Sequence, residues 1–254
     1  MQEKRFKIFE SQHLENGRFD VTFEIDGKML HAHKFILTSV SETMDTWLTD
    51  LWTTKDEPVK ITNYCYDDFY EFLRFLYIGD CKLNDENIFQ MVDVAEFYGV
   101  PNLKELCHEY LEYYSGVVIT SENMEEMCEF SQKYSLPGFE IDIINYVYNH
   151  GERILNNTNF LNFKKSFVEL VCENIHHKYQ EKTVEAVCDL VQKQILLNQK
   201  SPDDNFNIDI KAVFSTIIPK IKFYKMDKQF LKNCVVANGI LSQEQANRVN
   251  ETHG

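Results

Sequence analysis

The side chains of this 254-residue sequence best suited to chemistry are two histidine pairs and seven cysteines. His31 and His33, or His176 and His177, would serve zinc binding or proton transfer if acidic or thiol partners stood at ligand spacing, and neither pair has them. His31 and His33 lie two residues apart at a strand-to-helix junction. His176-His177 adjoins a loop. Cys65, Cys81, Cys107, Cys128, Cys172, Cys188 and Cys234 are odd in number and contain no close pair, so neither a disulfide framework nor a zinc ribbon follows. They read as small apolar side chains in a reducing compartment. The sequence has no Gly-x-Ser-x-Gly elbow, no phosphate-cradling glycine loop and no His-Glu-x-x-His signature, and only nine glycines in all. The expectation is a protein without catalysis, metal or cofactor, whose function lies in its surfaces.

The elements that would build those surfaces can be read from periodicity. Val21, Phe23 and Ile25 alternate with Thr22 and Glu24 as in a half-buried strand, and Asp26-Gly27 is a two-residue hairpin turn. The return strand, Lys28 to His31, leads into helical spacing, with Phe35, Ile36 and Val40 close to one stripe. Asp67 and Asp68 suit a helix N-terminus, and Phe69, Phe72, Leu73 and Leu76 fall at i, i+3, i+4 and i+7. Ile88, Met91, Val92 and Ala95 form a stripe that stops at Gly99; Pro101 begins another with Leu103, Leu106, Cys107, Tyr110 and Leu111. After residue 114 the pattern is entirely helical. Met124, Met127, Cys128 and Ser131 share one face, Ile141, Ile144 and Tyr148 another; Phe167, Leu170 and Val171 stripe a third helix and Val184, Val187, Cys188 and Val191 a fourth. Residues 198 to 209, rich in Asn, Asp and Ser, read as an inserted loop, and Ile240 to Val249 as the start of a further helix that caps the bundle or, as the alternative, serves as a partner site.

At 44% hydrophobic and 13% aromatic residues, the chain can bury the cores of two domains. No apolar run approaches the roughly 18 to 20 residues that span a bilayer, and the N-terminus lacks a secretory apolar stretch, which implies a cytoplasmic or nuclear protein with no membrane contact. The net charge of −14 is uneven: residues 1 to 120 hold 22 acidic against 11 basic side chains, residues 201 to 254 hold 6 against 7. An acidic field of this kind repels nucleic acid. It either attracts a basic protein surface or only solvates the fold.

The run Asp20 to Leu37, with Ala32-His33-Lys34 at its strand-to-helix junction, resembles the opening of the BTB/POZ family. The helix ending Tyr77-Ile78-Gly79 is similar to the family's Tyr-Thr-Gly ending, with Ile78 for Thr, and the paired helices that follow match, including Cys107. Further on, Ile221 to Leu231 resembles the Val-Arg-Leu-Pro-Leu-Leu-Ser-Pro-Glu-Phe-Leu run of the BACK domain; both prolines are missing here, and the Trp common on the helix of Val184 to Val191 is absent. The resemblance implies an α+β BTB/POZ domain over residues 1–118, a small sheet covered by helices. A helical extension over 119–152 and an all-α BACK-like bundle over 153–254 follow. No segment after it has the pattern of a kelch propeller.

The same resemblance implies a homodimeric substrate adaptor of a cullin-3 ubiquitin ligase. Leu48-Thr49-Asp50 fits the family's hydrophobic-x-Glu motif with Asp for Glu, so that Met44, Leu48, Asp50 and Leu51 would meet the cullin. The residue types also allow Leu48 to pack in the core or Trp47 to be the exposed anchor. Ile8, Phe9, Leu14 and Phe35 would form the two-fold dimer interface, unless they belong to the core, and Asp20, His33 and Lys34 the polar pocket near it. The implied partners are a cullin-3 scaffold, a second copy of the chain and an unknown protein substrate. The alternative is a BTB scaffold that oligomerises partners without a cullin; a potassium-channel-type tetramerisation module fits less well, because of the His33 junction and the BACK-like tail.

Overall fold

The computed structural model describes residues 2–49, 57–198 and 215–251. The chain divides into two compact units, Met1–Tyr114 and Ser115–Gly254.

The first unit is built on a three-stranded sheet of β1 (Val21–Ile25), β2 (Lys28–Ala32) and β3 (Val59–Ile61), in the order β2-β1-β3. β1 pairs antiparallel with β2 and parallel with β3. Asp26 and Gly27 have φ of 51° and 73°, so both central residues of the hairpin are left-handed and the turn keeps the strand twist. The register then places Ile25 opposite Lys28 and Phe23 opposite Leu30. Val21, Phe23 and Ile25 are buried, as their alternation predicts.

Helices α1 (Gln2–Ser11), α2 (Leu14–Gly17), α3 (Lys34–Val40), α4 (Glu42–Thr49), α5 (Tyr66–Ile78), α6 (Ile88–Phe97) and α7 (Pro101–Val118) surround the sheet. α5 is the central one, and α1, α3 and α6 all pack on it. The i, i+3, i+4, i+7 stripe of Phe69, Phe72, Leu73 and Leu76 is buried, and the helix ends on Gly79 at φ 75°, whose N–H bonds to Phe75 O at 2.7 Å. The expected stripe of α6 is buried too, as are Leu103, Cys107 and Leu111 of α7.

The helix of Phe35, Ile36 and Val40 stops at the extended, fully buried Ser41, and a second one starts directly after it. Its Oγ accepts from Met44 N–H at 3.0 Å, capping α4, and donates to Tyr98 O. Nothing in the local periodicity signals the break, because the acceptor on Tyr98 lies 57 residues away.

The second unit is helical: α8 (Met124–Tyr134), α9 (Pro137–Asn149), α10 (Gly151–Leu155), α11 (Lys165–Asn174), α12 (Gln180–Asn198), α13 (Lys228–Phe230), which continues as a π-helical segment Leu231–Val236, and α14 (Gln243–Glu251). Met124, Met127, Cys128 and Ser131 form the buried face of α8, and Val184, Val187 and Val191 that of α12, as expected. On α9 the expected face is wrong. Phe139, Ile143 and Val147 are buried while Ile141 and Tyr148 are exposed. The helix carries two apolar stripes, and spacing alone does not say which one its neighbours cover.

The segment Ile221 to Leu231 is tied to the start of α12. Gln180 Oε1 accepts from Lys222 N–H at 2.9 Å and Glu181 Oε1 from Asp227 N–H at 2.7 Å, while Ile221, Phe223, Met226 and Leu231 are buried. α14 packs on the π-helical segment and buries Ala246, so the tail caps this unit. Most of the expected 198–209 loop lies outside the described residues. No helix among the described residues is long and apolar enough to cross a membrane.

Candidate functional site

Asp20, His33 and Lys34 lie at the N-terminus of α3. His33 Nε2 lies 2.8 Å from Gly17 O, a group that only accepts, so this nitrogen carries the proton. Nδ1 is then the acceptor for the Tyr77 hydroxyl at 2.7 Å, and that oxygen in turn accepts from His33 N–H at 2.9 Å. Asp20 Oδ1 accepts from Lys34 N–H at 2.6 Å, an acidic cap on the first turn of α3 supplied from outside the helix. Lys34 Nζ reaches Leu48 O at the end of α4, 3.4 Å away. Asp20 is exposed and bonds the Lys34 backbone, while the Lys34 ammonium reaches a carbonyl, so these contacts clamp backbone. They fix α2, α3 and α4 around β1 and β2.

Gln12 completes the clamp and was missed from sequence. Held at φ 49°, it donates to Phe9 O and to His31 O at 3.1 Å, and accepts from His31 N–H at 2.8 Å, tying the end of α1 to β2. His31 Nδ1 pairs with its cross-strand neighbour Thr22 at 2.9 Å, and the Phe19 ring lies against both His31 and His33. Burial lowers the His31 pKa. Three of the four ring nitrogens of the pair are thus hydrogen-bonded within the fold, and no cluster of three metal-ligating side chains occurs among the described residues.

The cullin-facing assignment changes on α4. Met44 and Leu48 are buried at i and i+4 behind the Ser41 cap, so they pack inward and do not project as anchors. Asp50 and Leu51 lie outside the described residues. The outward face of α4 instead carries Thr43, Thr46 and half-buried Trp47, which with β3, Tyr64, Phe97 and Tyr98 line an open groove of about 710 Å³. The groove wall is an aromatic stack: Tyr98 sits 5.0 Å from Phe72 and 6.2 Å from Trp47, and Phe97 meets Tyr98 edge-on at 4.9 Å. Phe97 is 59% exposed, and Tyr64 Oη donates to Asp93 at 2.8 Å. Phe97 falls outside the buried stripe of α6, which is the one sequence signal it offers.

The proposed dimer residues separate into two groups. Phe9 is fully buried, stacked 5.2 Å from Tyr70 and 4.5 Å from Tyr77, and belongs to the core between α1 and α5. Ile8, Leu14 and Phe35 are exposed, Phe35 by 77%. An amphipathic helix presents adjacent residues to different sides, so Ile8 and Phe9 cannot share a surface.

The family model of the BTB/POZ domain matches residues 9–115. Among curated proteins, the ARM repeat protein interacting with ABF2 of Arabidopsis thaliana is 26% identical over 145 residues, 56% of this chain and 20% of that protein. The armadillo BTB Arabidopsis protein 1 is 25% identical over 150 residues, 59% of this chain and 20% of that protein. Protein maternal effect lethal 26 of Caenorhabditis elegans is 25% identical over 134 residues, 50% of this chain and 32% of that protein. The chain thus spans a fifth to a third of the length of these relatives. Among solved structures, the BTB domain of human gigaxonin is 22% identical at a TM-score of 0.35, covering 43% of this chain and 91% of that one. With the hairpin, the parallel third strand and the surrounding helices on the same residues, the chain carries a BTB/POZ domain over residues 9–115, followed by a mostly helical region.

Proposed function

We propose that the chain is a homodimeric substrate adaptor of a cullin-3 ubiquitin ligase. The observation that carries this reading is the aromatic groove between α4, β3 and the end of α6. It is built in part on α4, the stretch of sequence where the family resemblance puts the cullin contact, and it offers Trp47 and Phe97, aromatic residues of the kind enriched at protein interfaces. The adaptor performs no bond chemistry of its own. Holding a substrate beside the ligase raises the local concentration of the reacting groups, and that is its contribution to ubiquitin transfer. The exposed Ile8, Leu14 and Phe35 supply an apolar patch for a second copy. The second unit is BACK-like in this reading, an arm between cullin and substrate sites, and the protein works in the cytoplasm or nucleus.

The test is calorimetry of the purified chain with the N-terminal region of cullin-3. We expect one cullin per chain with a dissociation constant below about 1 µM, raised at least about a hundredfold by Phe97→Glu. No heat at tens of micromolar rejects the adaptor reading. The exposed Phe35 patch then favours the second one, a cullin-independent BTB scaffold that oligomerises its partners.

A further inference from the structure

Helix α7 carries a second apolar face that its own unit leaves uncovered. Leu103, Cys107 and Leu111 point into the core. At 100° per residue, Tyr110 and Tyr113 fall on the neighbouring side of the helix, with Tyr114 between them and the buried face. Tyr113 is 81% exposed and Tyr114 41%. The Tyr114 ring lies 4.6 Å from Tyr110 and 4.8 Å from Tyr113, so the three rings form one surface.

Carboxylates border this surface. Tyr110 Oη donates to Asp85 at 2.8 Å, and burial together with that carboxylate pushes its pKa up to about 12. Beyond the tyrosines, exposed Glu105, Glu109 and Glu112 recur at i, i+4 and i+7. Lys104, the sole basic residue between positions 101 and 118 apart from His108, is drawn away to Glu96 at 2.6 Å.

We propose that the Tyr113 face of α7 docks an arginine-bearing segment of a partner protein. A guanidinium stacks on a tyrosine face and bonds a carboxylate from the same side chain, which suits the Tyr113 ring, set one turn from Glu109. An apolar partner would strip water from those carboxylates and return nothing to them. A nucleic acid meets the net −11 of residues 1 to 120, whereas a basic protein segment is steered by it. The face lies on a different helix from the α4 groove and is independent of cullin binding.

The probe is a fluorescent peptide of alternating Arg and Ala, titrated with the full chain at about 0.15 M salt and read by anisotropy. We expect saturable binding, weakened about tenfold or more by Tyr113→Ser, retained by Tyr113→Phe, and weakened as strongly by Glu109→Gln with Glu112→Gln. The control changes charge equally elsewhere: Asp67→Asn with Asp68→Asn, in the separate acidic groove that these residues line with Glu71 and Glu86. That pair should move the affinity by less than about twofold. Tyr113 is solvent-facing, so circular dichroism should show all variants folded. Unchanged binding by Tyr113→Ser, or equal losses from the two carboxylate pairs, overturns the proposal.

Discussion

His33 and Tyr77 satisfy each other's hydrogen bonding: one phenol oxygen takes the His33 N–H at 2.9 Å and gives its own proton to Nδ1 at 2.7 Å. The pair joins the strand-to-helix junction to the end of α5, 44 residues later. The phenol sits in the core, where desolvation raises its pKa, so it remains a donor across the working pH range. Tyr77→Phe keeps the ring packing against Phe9 and removes both bonds. It should lower unfolding stability in urea by about 1–3 kcal/mol, the cost of leaving a donor and an acceptor unpaired. A loss under about 0.5 kcal/mol would mean that water replaces the hydroxyl.

Phe9 and Phe35 should respond in opposite ways to the same substitution. Phe9→Asp puts a carboxylate into the stack with Tyr70 and Tyr77, and should cost at least about 4 kcal/mol or abolish folding. Phe35→Asp changes a side chain that is exposed in the protomer and should shift the urea midpoint of a protomer by an amount worth under about 0.5 kcal/mol. Light scattering at matched concentration should show its mass halved if Phe35 seals the proposed dimer. A folded Phe35→Asp chain of undiminished mass would remove Phe35 from the interface.

Ser41 links the fold to the groove, since its hydroxyl both caps α4 and holds the backbone of Tyr98, a wall of the groove. Ser41→Ala should cost about 1–2 kcal/mol by thermal or urea unfolding. A cullin-3 fragment should also bind more weakly, by a factor that Thr46→Ala, on the outward face of α4, does not reproduce. Equal losses from the two would show that Ser41 stabilises the unit without positioning the groove.

The first unit was legible because its alternation, its Asp26-Gly27 turn and its helix stops at Gly79 and Gly99 are local signals that tertiary structure had no reason to override. The site was legible in part. Asp20, His33 and Lys34 are close in the chain or paired by one bond, but Gln12 and Tyr77 act through long-range bonds to backbone that no spacing reveals. Leu48 and Phe9 were left open between surface and core for one common reason. A motif identifies a stretch of helix, whereas burial picks the side of it, and Trp47 or Ile8, one position away, is what solvent meets. The α9 face was misread for that reason, with Ile143 chosen over Ile141 and Ile144 by neighbours distant in sequence.

Thiol reactivity offers a direct map of burial across both units. Cys65 is exposed at the start of α5, its sulfur accepting from Asp68 N–H. Burial pushes the Cys128 thiol up to about 11 and those of Cys81, Cys172 and Cys188 up to about 12, and raises Cys107 as well. Such raised values mean that the folded state keeps protons which the unfolded chain releases near its ordinary thiol pKa of about 8.5. The stabilisation is therefore whole at neutral pH and is lost as pH rises from about 8.5 toward the folded values, so the urea midpoint should fall between about pH 8 and pH 10. Iodoacetamide at pH 8, followed by intact mass and peptide mapping, should modify Cys65 first and all seven cysteines only in urea. Cys188 and Cys234 lie close enough for each to perturb the other's thiol, one from α12 and one from the π-helical segment. Alkylation of that pair as fast as Cys65 in native buffer would show that the contact between those elements opens locally below the global unfolding free energy.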